Sequence, residues 1–257
     1  MITDILMYLK EAEGVIIFMR IDKLLANMGY GSRKDVKKLV KNGAVTVNNE
    51  IVTDPGKHVD PNVDQIVVFG EEIEYKEFIY FMMNKPKGVL SATEDIAQET
   101  VIDLLHPDDL HYRPFPVGRL DKDTVGLLLL TNDGQLAHHL LSPKKEVEKT
   151  YFAIVDGPVD EEDVKQFHEG VRLDDGYVTK PAKLEIMKSG TVRSEVLVTI
   201  TEGKYHQIKR MFAAVGNRVI YLKRLSMGPL KLDEDLLEGE YRELTEEEMA
   251  LLLPYKS

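Results

Sequence analysis

The stretch Gly118-Arg119-Leu120-Asp121-Lys122-Asp123-Thr124-Val125-Gly126, followed by Leu127-Leu128-Leu129-Leu130, sets a short charged loop between glycines and directly against an apolar strand. An acid at such a spot is held rigidly, on nearly desolvated ground, where carboxylates often serve as chemical tools. The same local pattern fits a polar turn that only leads into a core strand, because glycine-flanked turns are common. What the rest of the chain brings to this loop decides between the two.

The 257 residues have room for one large domain or two unequal ones, and an apolar fraction of 43% supports a sizeable core. No run approaches the roughly 18 apolar residues that a membrane span requires. The chain has no cysteine, which excludes disulfides and thiolate metal sites and leaves the redox compartment undetermined. A cytoplasmic, monomeric protein that avoids membranes is the expectation. Residues 1–18 carry acids in place of a basic leader and no small-residue cleavage site. Met19 opens a segment that reads better as a protein start, so residues 1–18 are read as an N-terminal extension.

The net charge of -11 argues against nucleic acid on average, yet two basic islands stand out. Between Arg20 and Lys41 lie Arg20, Lys23, Arg33, Lys34, Lys37, Lys38 and Lys41, against only Asp22 and Asp35. Between Lys204 and Arg224 lie Lys204, Lys209, Arg210, Arg218, Lys223 and Arg224, with no acid among them. Such islands suit a polyanion held at defined places, although a solvated helix face produces the same composition.

Apolar positions Ile21, Leu24, Leu25 and Met28 follow a helical period. Gly29 and Gly31 stop that helix, and Ser32 is a good N-cap for a second over Arg33–Lys41. Val45, Val47, an Asn48-Asn49 turn and Ile51-Val52 read as a hairpin. The acidic residues 71–77 read as a linker. Beyond it, strands are expected over 78–83, 127–130, 151–155, 183–187, 194–200 and 219–222. Helices are expected over 101–105, 134–141, 159–169, 206–215 and 244–253, the last begun by Thr245 with Glu248 in a capping box. Strands outnumber helices and are mostly joined by turns, which implies an α+β domain around a largely antiparallel mixed sheet flanked by helices.

Several chemistries lack their residues. His138 and His139 are adjacent and point to different helix faces, while His106, His111, His168 and His206 are scattered, so no metal site is read. The chain has no Gly-x-Ser-x-Gly elbow and no phosphate-binding glycine loop. Carboxylate chemistry with cationic help remains, without a cofactor. Two further segments are candidates for such chemistry. One is Gly203-Lys204-Tyr205-His206-Gln207-Ile208-Lys209-Arg210-Met211-Phe212-Ala213-Ala214-Val215-Gly216, which crowds polar and basic groups at the start of a helix. The other is Glu148-Lys149-Thr150-Tyr151, with a tyrosine at the start of a strand; alone, each also fits an ordinary amphipathic helix or core aromatic.

Together these residues resemble the pseudouridine synthases of the RsuA group (RsuA, RluB, RluE and RluF), from about Met19 to about Pro254. Gly118 to Leu127 matches the pattern Gly-Arg-Leu-Asp-x-Asp-Thr-x-Gly-Leu. The Asn84-Lys85-Pro86-x-Gly88 turn, the Lys149-Thr150-Tyr151 triplet and the Gly203–Gly216 helix follow the family's order. Residues 19–70 resemble an S4 RNA-binding domain, with a Ser32-Arg33 helix start and a Gly43-x-Val45-x-Val47-Asn48 hairpin, and residues 78–254 resemble the synthase domain. The wording Tyr205 to Phe212 is closest to the small-subunit rRNA branch. The N-terminal extension and the acidic overall charge depart from the family, and neither touches the motifs.

The resemblance implies isomerisation of a specific uridine of 16S rRNA to pseudouridine, on naked RNA or a small-subunit assembly intermediate, with no metal and no cofactor. Large-subunit (23S) rRNA as the target, and a non-catalytic S4-domain assembly factor, are the alternatives. It implies Asp121 as the catalytic carboxylate, either attacking the sugar C1′ or removing a 2′ proton. Lys209 is implied as its cationic partner, fixing its direction, and Tyr151 as the group stacked on the base. RNA contacts are expected from Arg20, Lys23, Ser32, Arg33, Lys34, Lys37, Lys38 and Lys41 in the S4-like part. Lys85, Arg119, His206, Gln207 and Arg210 are expected to supply them near the pocket.

Overall fold

The computed structural model describes residues 18–256; the expected extension over residues 1–18 lies outside them save for Phe18. The chain divides into two compact units between Glu77 and Phe78.

The first unit comprises strand β1 (Met19–Arg20), helices α1 (Ile21–Asn27) and α2 (Arg33–Lys41), and strands β2 (Val45–Val47), β3 (Glu50–Ile51), β4 (His58–Val59), β5 (Ile66–Val68) and β6 (Glu71–Ile73). Strands β3-β2-β5-β6 form an antiparallel sheet, and β1 pairs with β4. Ile21, Leu24 and Leu25 of α1 and Val36 and Val40 of α2 share one core with Val45, Val47, Ile66 and Val68. Because those valines take one stripe of α2, the lysines at the remaining helical positions are left exposed. The β2–β3 turn places Asn48 and Asn49 at φ 53° and 66°, the left-handed pair that a tight hairpin needs and asparagine tolerates.

The acidic stretch 71–77 opens as strand rather than linker. Ile73 pairs with Ile66, and Glu71 with Val68. β6 is an edge strand with exposed glutamates, and charges that guard a sheet edge imitate a linker in composition.

The second unit comprises β7 (Tyr80–Lys85), β8 (Phe115–Pro116), β9 (Val125–Thr131), α3 (Gly134–Leu141), β10 (Lys149–Asp156), α4 (Glu161–Glu169), β11 (Lys183–Lys188), β12 (Arg193–Ile200), α5 (Gln207–Ala214), β13 (Arg218–Met227), β14 (Leu230–Lys231), β15 (Tyr241–Glu243) and α6 (Glu246–Leu252). Its sheet runs β11-β12-β10-β13-β9-β7-β15, with β14 beside β13 and β8 beside β9. The β9–β13 seam is parallel and the other pairs are antiparallel, the mixed and largely antiparallel sheet expected from the sequence. Both faces are covered. Leu128 and Leu130 enter a core with Tyr151, Ile208 and Phe212, while Leu127 and Leu129 enter another with Leu136, Leu140 and Leu252. A strand buried on both faces reads as an unbroken apolar run, which explains four leucines in a row.

Residues 101–105 form consecutive turns rather than the expected helix, with Asp103 N–H on the Thr100 carbonyl and Leu105 N–H on that of Ile102. The Asp103 carboxylate accepts from the Thr100 N–H and hydroxyl, which holds the turn. Pro107 keeps His106 extended, at φ -61° and ψ 142°, so the helical pattern cannot run on.

Candidate active site

The Asp121 loop is built where β9 joins β13 in parallel. Gly126 has φ +101°, and a Cβ there would stand 2.3 Å from the Arg224 carbonyl oxygen, so only glycine lets the two strands close. The loop then turns tightly, with Thr124 N–H donating to the Asp121 carbonyl at 3.0 Å. Three outside groups clamp it. Ser91 Oγ accepts from Leu120 N–H at 3.1 Å and donates to the Leu120 carbonyl at 3.0 Å. Gly88 N–H donates to the Lys122 carbonyl at 2.7 Å. Lys85 Nζ reaches the carbonyls of Pro86, Asp121 and Thr124 at 3.0, 3.3 and 3.2 Å.

Lys85 was expected to contact RNA, and the structure assigns it otherwise. Its side chain is fully buried, and its ammonium ties both ends of the Asp121 turn to β7. Burial pushes its pKa down to about 8, although Asp121 and Asp123 pull the other way. A lysine beside proline in a turn looks solvent-facing in sequence; here the turn folds over it.

Helix α5 brings the cations. Lys209 Nζ donates to Asp121 Oδ2 at 2.8 Å and to Asp123 Oδ1 at 2.6 Å. Burial alone would lower the Lys209 pKa, but the hydrogen bonds to the two aspartates hold it above its ordinary value. Burial likewise favours the neutral Asp123 carboxyl, and Lys209 outweighs it, holding that carboxyl below the usual carboxylate range. Asp123 was not singled out from sequence; its place two residues past Asp121 in the same loop was the available signal. His206, at φ 49° just before α5, puts Nε2 3.6 Å from Asp121 Oδ1.

These groups surround an open cleft with a volume of about 80 Å³. Leu120, Tyr151, Ile200, Ile208 and Leu222 supply its apolar wall, and Arg119, Asp121, Lys204, His206 and Lys209 its polar side. Asp121 keeps 26% side-chain exposure, so it is braced yet reachable. Apolar walls with a few convergent polar groups suit a flat, partly polar ligand. Tyr151 is buried in the core and shows the cleft only part of itself.

Other expected RNA contacts are already engaged. Gln207 is buried, its Nε2 donating to Glu202 Oε1 at 2.8 Å and its Oε1 accepting from Lys204 N–H at 2.9 Å. Arg210 pairs with Asp174 and, at 2.7 Å, with Asp175. Arg224 is buried and donates from Nε to the Leu127 carbonyl at 2.7 Å, and Arg218 pairs with Asp156 at 2.9 Å. In the second basic island Lys209, Arg210 and Arg218 thus pair with acids, and Arg224 with a carbonyl, all distant in sequence. In the first unit, Arg20 is bidentate on the buried Asp22, at 3.0 and 2.8 Å. The Ser32 hydroxyl belongs to a capping box with Asp35 rather than to a ligand. Lys23, Arg33, Lys34, Lys37, Lys38 and Lys41 are exposed, as is Arg119 at the cleft.

A paired carboxylate in a cleft, carried on a mixed sheet that follows a small unit of two helices and short strands in the chain, narrows the class. Residues 79–214 match the RNA pseudouridylate synthase family and residues 19–64 the S4 domain, and the chain belongs to that synthase family, in its RsuA-type group. It is 59% identical over 234 residues to the RNA pseudouridine synthase YtzG of Bacillus subtilis (strain 168), covering 91% of this chain and 98% of the relative. To the ribosomal small subunit pseudouridine synthase A of Vibrio cholerae it is 44% identical over 236 residues, covering 90% and 98%. A crystal structure of a pseudouridylate synthase is 40% identical with a TM-score of 0.64, covering 91% of this chain and all of that one.

Proposed function

We propose that the chain isomerises a uridine of small-subunit ribosomal RNA to pseudouridine, with Asp121 as the catalytic carboxylate. The observation that carries the reading is the Asp121–Lys209 contact of 2.8 Å at the wall of an open cleft. The small-subunit target is supported by relatives at 41–44% identity that are named ribosomal small subunit pseudouridine synthase A.

In the reaction the N1–C1′ glycosidic bond breaks and N1 takes up a proton, the base turns, and C5 bonds to C1′ while the C5 proton leaves to solvent. One bond replaces another with no net oxidation, so the chemistry requires no redox partner. Asp121 is the group placed to attack C1′ or to take a 2′ proton. Lys209 fixes its direction, and Asp123, 2.6 Å from the same ammonium, helps to hold Lys209. Tyr151, which lines the cleft with part of itself, stacks on the base. Everting the uridine from its stack costs a few kcal/mol, which base contacts in the cleft and phosphate contacts offset. Residues 19–70 supply phosphate contacts through Arg33, Lys34, Lys37, Lys38 and Lys41, leaving catalysis to residues 78–254.

The test is tritium release from a small-subunit rRNA transcript labelled at uridine C5. Wild-type protein releases tritium, and Asp121→Asn binds the transcript with nearly unchanged affinity while releasing none. Release by the variant at the wild-type rate sinks the assignment of Asp121. Mapping the modified base onto large-subunit rRNA instead sinks the choice of substrate.

A further inference from the structure

Tyr205 is 73% exposed and lies between Lys204 and His206, both of which line the cleft. Its ring lies 3.8 Å, centroid to centroid, from that of His206, at an interplanar angle of 17°. His206 lines the cleft and sets Nε2 3.6 Å from Asp121 Oδ1. Two parallel rings thus lead outward from the carboxylate, and the outer one has an uncovered face. The left-handed conformation of His206, φ 49°, turns the chain sharply before α5 and throws Tyr205 outward. Arg210, tethered by Asp174 and Asp175, places Nη1 3.5 Å from the Tyr205 carbonyl and steadies this corner. Lys204 and Arg119 are exposed and line the same cleft, Lys204 with its Nζ 4.6 Å from the Tyr177 ring centroid, and both offer charge to a phosphate backbone.

We infer that the Tyr205–His206 stack is a platform that binds the nucleobase next to the everted uridine in single-stranded RNA. A base π-face needs a flat, exposed partner with positive charge nearby, and stacking tolerates any base. The platform holds the strand flanking the cleft while its neighbour enters. The inference rests on reading the cleft as the uridine site.

The chain has no tryptophan, so Tyr205→Trp introduces a single emitter at the platform. Its fluorescence is expected to be quenched on adding the small-subunit rRNA transcript. The control is Val192→Trp, an exposed position before β12, whose other end supplies Ile200 to the cleft, and its emission stays unchanged. In the tritium assay Tyr205→Ala raises KM and the transcript Kd about tenfold to a hundredfold, with kcat within about twofold, and Tyr205→Phe stays near wild type. The inference is overturned if Tyr205→Trp is not quenched, if Tyr205→Ala leaves KM and Kd unchanged, or if Tyr205→Phe fails as badly as Tyr205→Ala. Quenching of Tyr205→Trp in a protein whose wild type releases no tritium supports the platform and removes only the assignment of the reaction.

Discussion

Replacing Lys85 by methionine removes a charge that the folded protein holds at a cost, together with the tether that aims Asp121. The ammonium is buried and its pKa lies at about 8 instead of 10.5. Keeping it protonated at pH 7 therefore costs the native state about 3 kcal/mol. Against this, methionine strands the three carbonyls of Pro86, Asp121 and Thr124, at about 1 kcal/mol each. The two effects nearly cancel, so urea unfolding at pH 7 is expected to show Lys85→Met within about 2 kcal/mol of wild type. Catalysis does not share the cancellation. A turn free to shift by about 1 Å loses roughly a hundredfold in kcat, with KM little changed. The pH dependence has a definite sign. The unfolded chain binds the extra proton between about pH 8 and 10.5, so wild-type stability relative to the variant rises with pH across that window. Lys149 is shifted the same way but is present in both proteins and drops out of the comparison. Unfolding at pH 7 and 9.5 and single-turnover tritium release measure both effects. A stability difference flat with pH, or a variant with wild-type kcat, would refute the reasoning.

Lys209→Met leaves Asp121 and Asp123 facing each other without their shared cation; turnover is expected to fall at least about a hundredfold with transcript affinity held within about threefold. Asp123→Asn is milder, because Asp123 is 60% exposed and such pairs contribute about 0–1 kcal/mol, so its kcat should stay within about tenfold of wild type. Gly126→Ala combines a forbidden φ with a 2.3 Å clash on the Arg224 backbone, and thermal unfolding should show a loss of about 3 kcal/mol or more. Reversing Lys34, Lys37 and Lys38 to glutamate should flatten the salt dependence of RNA binding by a log–log slope of about 2, measured by titration at several salt concentrations.

Local patterns in the sequence carried much of the fold. α3 falls on its expected residues because Asp133 caps it and the leucines keep a helical period. The Thr245–Glu248 capping box starts α6 as read. The Asp121 motif could be recognised as a unit, since its glycines, acids and leucines answer to backbone constraints a few residues wide. Lys209 stands 88 residues away, and only the family resemblance joined it to Asp121 in advance.

What the chain alone determined is where helices and strands form, which loop carries the acid, and which residues hold charge; these follow from periodicity, capping and turn chemistry. Only the tertiary structure decided which charges are free. It buried Lys85 under its own turn, tied Arg210 to aspartates 36 residues away, enclosed Gln207, and left Tyr205 uncovered. A charged side chain pairs with whatever the fold sets within about 4 Å of it, and that neighbour is chosen by the packing of distant segments, which no local pattern records.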